Sequence, residues 1–156
     1  AKVQIVMAMT IDGYFPEEGS LLRWLRNDRN GFIFWQDRCS LSIGSDYPMI
    51  DFICLKDTSP SGSVFQTIVS DRTDIETVRK LCAFHLPDEM VVYVLPVVSG
   101  KGTRIADFLA AGVWKLFLQG VSATGYVAWF IAGYRNSLSQ MRQSCDRSLM
   151  EYYGIL

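Results

Sequence analysis

The sequence holds a single histidine, His85, and no cysteine pair spaced as CxxC. A structural zinc site draws on clustered cysteines and histidines, so no metal site is expected. There is no Gly-x-Ser-x-Gly elbow and no Cys-His context for an activated thiol, which removes the common nucleophilic hydrolases. Charge of one sign is also scarce. The formal net charge is -1 and no basic stripe occurs, so a nucleic-acid partner is not expected. No apolar run reaches the roughly 18 residues that span a bilayer. The longest, Met90 to Val98, is interrupted by Pro96. No signal-peptide pattern is read, so Cys39, Cys54, Cys82 and Cys145 are expected to be buried, reduced thiols in a soluble, cytoplasmic protein.

What is present is an ordinary globular composition, 49% hydrophobic and 20% charged over 156 residues. That length suits one domain, spanning residues 1–156, with a sizeable core. Val3 to Met9 is a nearly continuous apolar run, the pattern of a strand covered on both faces. Short helices are expected from Ser20 (as cap) to Arg26, and from Gly31 to Arg38. Strands are expected over Cys39–Ile43, Asp51–Leu55 and Val64–Val69.

Asp71 to His85 carries Ile75, Val78, Leu81, Cys82 and His85 at helical spacing, with Asp71 or Thr73 as cap and Pro87 as stop. Glu89 to Val98 reads as a central strand, with Pro96 marking a bulge or its end. A helical turn is expected within Thr103–Ala111. Val113–Leu118 and Tyr126–Tyr134 form a hairpin connected through Gly120 and Gly125, and Ser137–Tyr153 a last helix. The order implies a mixed α/β sheet with a late antiparallel hairpin.

Two segments stand out because each is an apolar run that stops at glycine and polar groups. They are Val6-Met-Ala-Met-Thr-Ile-Asp-Gly-Tyr-Phe15 and Val91-Val-Tyr-Val-Leu-Pro-Val-Val-Ser-Gly-Lys-Gly-Thr-Arg104. In open α/β sheets, ligands bind at such strand ends. The Thr10-Ile-Asp-Gly13 turn reads either as a simple tight turn or as a carboxylate aimed at a ligand. Ser99-Gly-Lys-Gly-Thr-Arg104 reads either as a mobile turn with solvated cations or as a backbone concavity for a phosphate, with Lys101 and Arg104 adding charge. His85 reads as a group at a helix C-terminus or as a proton carrier.

Together these two segments resemble the reductase domain of riboflavin biosynthesis, in the dihydrofolate-reductase-like superfamily. The first is similar to that family's Met-Ser-Leu-Asp-Gly, the second to its Pro-Val-Val-Leu-Gly-x-Gly. Trp24-Leu-Arg-Asn-Asp28 resembles its tryptophan-containing segment. The resemblance implies a three-layer fold with a mixed, mostly parallel sheet ending in an antiparallel hairpin. It also implies NADPH-dependent reduction of a pyrimidine or pteridine-like heterocycle, of the 5-amino-6-(5-phosphoribosylamino)uracil reductase type, by a homodimer.

Under that resemblance Asp12 is the catalytic position, orienting the substrate rather than attacking it. Thr10, Trp24 and Pro96 contact the substrate. Gly44, Ser45, Lys56, Gly100, Lys101, Gly102 and Arg104 contact the cofactor. Two departures stand out. Gly44-Ser-Asp-Tyr47 replaces the family's Gly-Arg-x-Thr turn, so the phosphate-binding arginine is not in place. The strand ending in Gly-Gly and the helix after it have no counterpart between Leu81 and Val91, and the chain contains no Gly-Gly pair. Since that turn brings backbone amides to the pyrophosphate, its loss implies a weaker hold on NADPH. A non-catalytic relative, binding a heterocycle or serving as an oligomeric module through Trp129, Phe130 and the C-terminal stripe, is the alternative.

Overall fold

The computed structural model describes residues 1–16, 19–109, 114–121 and 128–134. The chain runs β1 (Lys2–Thr10), α1 (Ser20–Asn27), α2 (Phe32–Gln36), β2 (Leu41–Ser42), α3 (Met49–Thr58), β3 (Val64–Ile68), α4 (Arg72–Ala83) and β4 (Glu89–Leu95). A 3-10 turn (Ile105–Asp107), β5 (Trp114–Val121) and β6 (Ala128–Tyr134) follow. The strands form one six-stranded sheet in the order β2-β3-β1-β4-β6-β5. β2, β3, β1 and β4 are parallel, whereas β6 runs antiparallel to β4 and β5 antiparallel to β6.

The alternation of β1 sorts the core into two layers. Val6 and Ala8 pack with Leu22 and Leu25 of α1 and Phe32 and Trp35 of α2. Ile5 and Met7 pack on the opposite face with Ile75, Val78 and Cys82 of α4. Val3 joins Phe52 of α3, Phe65 and Leu81 on that same side. A strand buried on both faces is therefore apolar over most of its length, with Gln4 its buried polar exception. Tyr93 of β4 fastens α2 to the sheet. Its hydroxyl accepts from Trp35 Nε1 at 2.8 Å and donates to the Asn30 carbonyl at 3.0 Å, and burial pushes the phenol up to about 12.

Gly31 lets the end of α1 and the start of α2 approach, since a Cβ there would collide with the Leu25 carbonyl oxygen. On β5, Gly120 lies under the Trp129 ring, where a Cβ would come within 2.6 Å of Cζ2.

Several sequence expectations need correction. Residues 51–55 are helical, inside α3, not a strand. β2 and β3 are parallel, so the chain must cross back over the sheet between them, and a helix does this. Phe52 is buried there while Ile50 is 77% exposed, a one-anchor pattern that a short apolar run cannot distinguish from a strand. The cap of α1 is Gly19, not Ser20, and it makes no side-chain capping bond.

Asp71 does cap α4, in a reciprocal capping box with Asp74. The helix stops before Pro87. His85 adopts φ 53, and Leu86 N–H bonds the Leu81 carbonyl while His85 N–H bonds that of Cys82. This Schellman closure gives His85 a backbone role. Gly120 lies within β5 rather than in the hairpin connection. Of the cysteines, Cys82 is buried, Cys39 is half-buried and Cys54 is exposed; none of these three is in a disulfide. The expected helix over 137–153, Cys145 and Gly125 lie outside the described residues.

α4 leads straight into β4, and β4 pairs with β1 over seven positions, from Gln4↔Glu89 to Thr10↔Leu95. No strand intervenes between these two among the described residues. The two segments singled out in the sequence therefore end side by side.

Candidate functional site

The site is built where β1 and β4 stop together. β1 turns back at once: Gly13 N–H bonds the Thr10 carbonyl at 3.0 Å, and Tyr14 N–H bonds Thr10 Oγ1 at 3.0 Å. Gly13 holds φ 82, which favours glycine. β4 ends at Leu95. Val97 N–H then folds onto the Leu95 carbonyl, and Ile11 N–H bonds the Val97 carbonyl at 2.9 Å.

From there the two loops are stitched along their length. Phe15 N–H donates to the Thr103 carbonyl at 2.7 Å, and Ile105 N–H to the Gly13 carbonyl at 2.9 Å. Tyr14 and Arg104 form the bridge between them.

Asp12 sits at the centre of this seam. Its carboxylate accepts from Thr10 Oγ1 at 2.6 Å, from Ser99 N–H at 3.1 Å and from Gly100 N–H at 2.7 Å. The Thr10 hydroxyl, followed by the two loop amides, holds the carboxyl down to about 2 although it is fully exposed. The backbone concavity expected around Gly100 does bind an anion, and that anion is Asp12. Gly100 and Gly102 hold φ 70 and 114, conformations that aim the loop at Asp12 and Tyr14. Arg104 Nε donates to the Tyr14 hydroxyl at 3.4 Å, and its guanidinium lies 5.7 Å from the Tyr14 ring centroid.

Against this seam lies a cavity of about 380 Å³, lined by Thr10, Phe15, Leu21, Leu22, Leu95, Val97, Ser99, Lys101 and Gly102 among others. Its wall is mostly apolar, with Thr10, Ser20, Ser99 and Lys101 as polar residues in its lining. A cleft of about 840 Å³ adjoins it and shares Phe15, Pro16, Gly19 and Leu22 with it. The cleft's other wall is Arg23 and Arg26 of α1 and residues 70–73 at the start of α4.

The expected site residues divide accordingly. Thr10, Lys101 and Gly102 line the cavity. Pro96 is exposed between two lining residues, Leu95 and Val97. Asp12, Gly100 and Arg104 build the seam beside it. Trp24 is on α1 but lines neither space; Leu21 and Leu22 do. Gly44 and Ser45 follow β2, the sheet's edge strand, and Lys56 is in the last turn of α3 rather than after a strand. None of these three lines the cavity or the cleft.

The sequence reading missed Arg23 and Arg26. Their three-residue spacing inside Leu21-Leu22-Arg23-Trp24-Leu25-Arg26 was the available signal. His85 lines neither space, and no cluster of three or more metal-ligating side chains occurs among the described residues. No helix among them is long and apolar enough to cross a membrane.

No family model matches the chain, and no curated protein matches it in sequence. Solved structures do match it. A protein assigned to riboflavin biosynthesis from Shewanella sp. PV-4 superposes with a TM-score of 0.53 at 17% identity, covering 86% of this chain and 99% of that one. Dihydrofolate reductase from Enterococcus faecalis, solved with NADP(H) and RAB-propyl, superposes with a TM-score of 0.55 at 12% identity, covering 86% and 96%. The fold is thus dihydrofolate-reductase-like, as the two sequence segments implied.

Proposed function

We propose that this chain is an NADPH-dependent reductase of a pyrimidine or pteridine-like heterocycle, of the 5-amino-6-(5-phosphoribosylamino)uracil reductase type. The observation that carries the reading is the cavity at the paired ends of β1 and β4 in a dihydrofolate-reductase-like fold. Both structural neighbours named above support it, one by its riboflavin biosynthesis assignment and one by its NADP(H) complex.

The described residues fit the cofactor in part. Glycine-turn amides are not free for its phosphates, because Ser99 and Gly100 donate to Asp12. The arginine-walled cleft next to the cavity supplies positive charge in their place. The apolar wall formed by Leu21, Leu22, Leu95 and Val97 suits a flat ring and excludes water from it.

When bound, the cofactor supplies the hydride. The protein's part is orientation. Thr10 is held by its bonds to Asp12 and Tyr14, and Lys101 brings a cation to the cavity edge. Asp12 acts as a positioning residue. It fixes the loop that carries Ser99, Lys101 and Gly102, and no part of the reading requires it to exchange a proton with substrate.

A second reading, a heterocycle binder without turnover, is favoured by one feature. Among the described residues, the cavity wall carries no carboxylate or imidazole to move a proton. NADPH titration followed by energy transfer from Trp24, Trp35, Trp114 and Trp129 tests the first step, and loss of nicotinamide absorbance with candidate pyrimidines tests the second. Saturable binding with turnover is the expected result. Heterocycle binding without NADPH binding would select the second reading.

A further inference from the structure

On the α4 side of the sheet, the cover thins out over the last hairpin. Ile75, Val78 and Cys82 of α4 pack with Ile5 and Met7 of β1 and Met90 and Val92 of β4. That cluster ends at Ala132 of β6, with Phe130 and Trp114 half-buried at its margin. α3 stands at the other end of the sheet, where Phe52 meets Phe65 of β3.

The register shows what β5 adds to this side. Leu116 is opposite Ala132, Gln119 opposite Phe130 and Val121 opposite Ala128, so these side chains share the face of Ala132. Leu116 is 48% exposed and Val121 63%, and Gln119 and Ala128 are exposed as well. Trp114, Leu116, Val121 and Phe130 thus form an apolar surface at the end of the sheet that the described helices leave open. The opposite face of the hairpin differs. There the Trp129 ring lies on Gly120, and Leu118 and Trp129 pack on the α1–α2 core.

The sequence supplies a matching surface next to it. Residues 135–156 follow the end of β6 at Tyr134. Leu138, Met141, Cys145, Leu149 and Tyr152 recur there at intervals of three and four, the spacing of one narrow stripe on a helix. The other positions from 139 to 151 are polar except Met150. A helix of that pattern is marginal in water and draws its stability from the apolar face it packs on.

Position and length favour the adjoining hairpin. Tyr134 pairs with Trp114, so the chain leaves β6 at the Trp114 end of β5. A short connection turns a helix back along the strand it follows. A helix over 137–153 placed in this way runs antiparallel to β6 and parallel to β5, from Trp114 towards Val121. Its length is about 25 Å, and the eight residues of β5 rise about 26 Å. Cys145, about 12 Å along that helix, then stands over the stretch from Leu116 to Gln119.

We propose that the segment 135–156 docks on its own chain, laying the Leu138–Met141–Cys145–Leu149–Tyr152 stripe on the apolar face of Trp114, Leu116, Val121 and Phe130. The segment covers the hairpin beyond the reach of α4 and withdraws that face from a second copy of the chain. The docking surface is separate from the reductase reading, since none of its four residues lines the cavity or the cleft.

Thiol labelling of Cys145 in the full chain tests this. Mass spectrometry of the digested protein scores Cys39, Cys54 and Cys82 separately. The reference is the synthetic peptide 135–156, in which the same thiol is open to solvent. Cys145 in the full chain should react at least about tenfold more slowly than in the peptide, as a group released by local opening does. Leu116→Glu and Val121→Glu, which put a charge on the face, should each bring the rate back towards that of the peptide. Leu149→Glu, which puts one in the stripe, should do the same. Lys115→Glu, on the opposite face of β5, should leave Cys145 protected.

Buried Cys82 reports the body of the protein and should stay slow in every variant. If Leu116→Glu frees Cys82 as well, Val121→Glu, at the more exposed position, decides. The proposal is overturned if Cys145 reacts in the full chain as fast as in the peptide, or if the deciding face variant or Leu149→Glu leaves it protected. Release by Lys115→Glu also overturns it. So does protection that grows with protein concentration over roughly 1–100 μM, which would make a second copy the occupant.

Discussion

At the scale of single residues, Asp12 carries the most structural information. Its carboxylate is exposed, yet three donors converge on it from both loops of the seam. A carboxyl lowered from 3.8 to about 2 keeps its contribution above the unfolded value and loses it as pH falls through the folded one. The seam is therefore intact at neutral pH and opens on acidification between about 4 and about 2. Amide chemical shifts of Ser99 and Gly100, followed by NMR, should titrate together with a midpoint near 2 and stop titrating in Asp12→Asn. A midpoint near 3.8 would mean that the two amides do not hold the carboxylate in solution. The Asp-Gly pair announced a turn in the sequence. That its carboxylate would be consumed by amides 87 and 88 residues away could not be read there.

At the scale of elements, helix ends and close approaches decide the arrangement. α4 is bounded by a capping box at Asp71 and by the left-handed backbone of His85, both local devices. The α1–α2 corner depends instead on a tertiary contact. Gly31 N–H bonds the Asp28 carbonyl at 3.0 Å, and the absent side chain makes room for the Leu25 carbonyl. Gly31→Ala must displace backbone that also carries Arg23 and Arg26. Urea denaturation should show a loss of about 1–3 kcal/mol. A variant as stable as wild type would show that the corner relaxes freely. The misread strand at residues 51–55 belongs to this scale too: the apolar residues were visible, but the crossover that makes them helical exists only once β2 and β3 lie parallel.

At the scale of the whole molecule, the sheet carries a polar row at the end opposite the site. Gln66 of β3 donates to Gln4 of β1 at 2.7 Å, and Gln4 donates to Glu89 of β4, which Lys2 reaches at 3.2 Å. The three partners are in register, at Gln4↔Gln66 and Gln4↔Glu89, and each is buried. Every amide in the row donates towards β4, so Glu89 has to accept. Glu89→Ala should cost about 3–5 kcal/mol in urea denaturation, because it strands a buried amide and a lysine. Glu89→Gln, which retains an acceptor oxygen, should recover most of it. Equal losses in the two variants would show that charge rather than hydrogen bonding fixes β4 beside β1. A one-residue slip would put these polar groups into the apolar layer of Ile5 and Met7, so the row favours the observed register.

What the sequence determined by itself is the set of elements whose signals are local. β1 and β4 follow from continuous apolar runs, α4 from its periodicity and cap, and the seam's turns from Asp12-Gly13 and the glycines at 100 and 102. It also determined that the chain contains no Gly-Gly pair. The tertiary structure decided which polar groups remain available to a ligand. Asp12 and the loop amides satisfy each other, Arg104 turns to Tyr14, and Gly44 and Lys56 are carried to the edge-strand side of the sheet. Arg23, Arg26 and Arg72, unremarkable in the chain, share one cleft because α1 and the start of α4 meet over the ends of β1 and β3. The physical reason is the range of the forces involved. Periodicity and turn preference act over a few residues, whereas hydrogen-bond satisfaction and charge convergence depend on groups 40 to 90 positions apart, which only packing brings together.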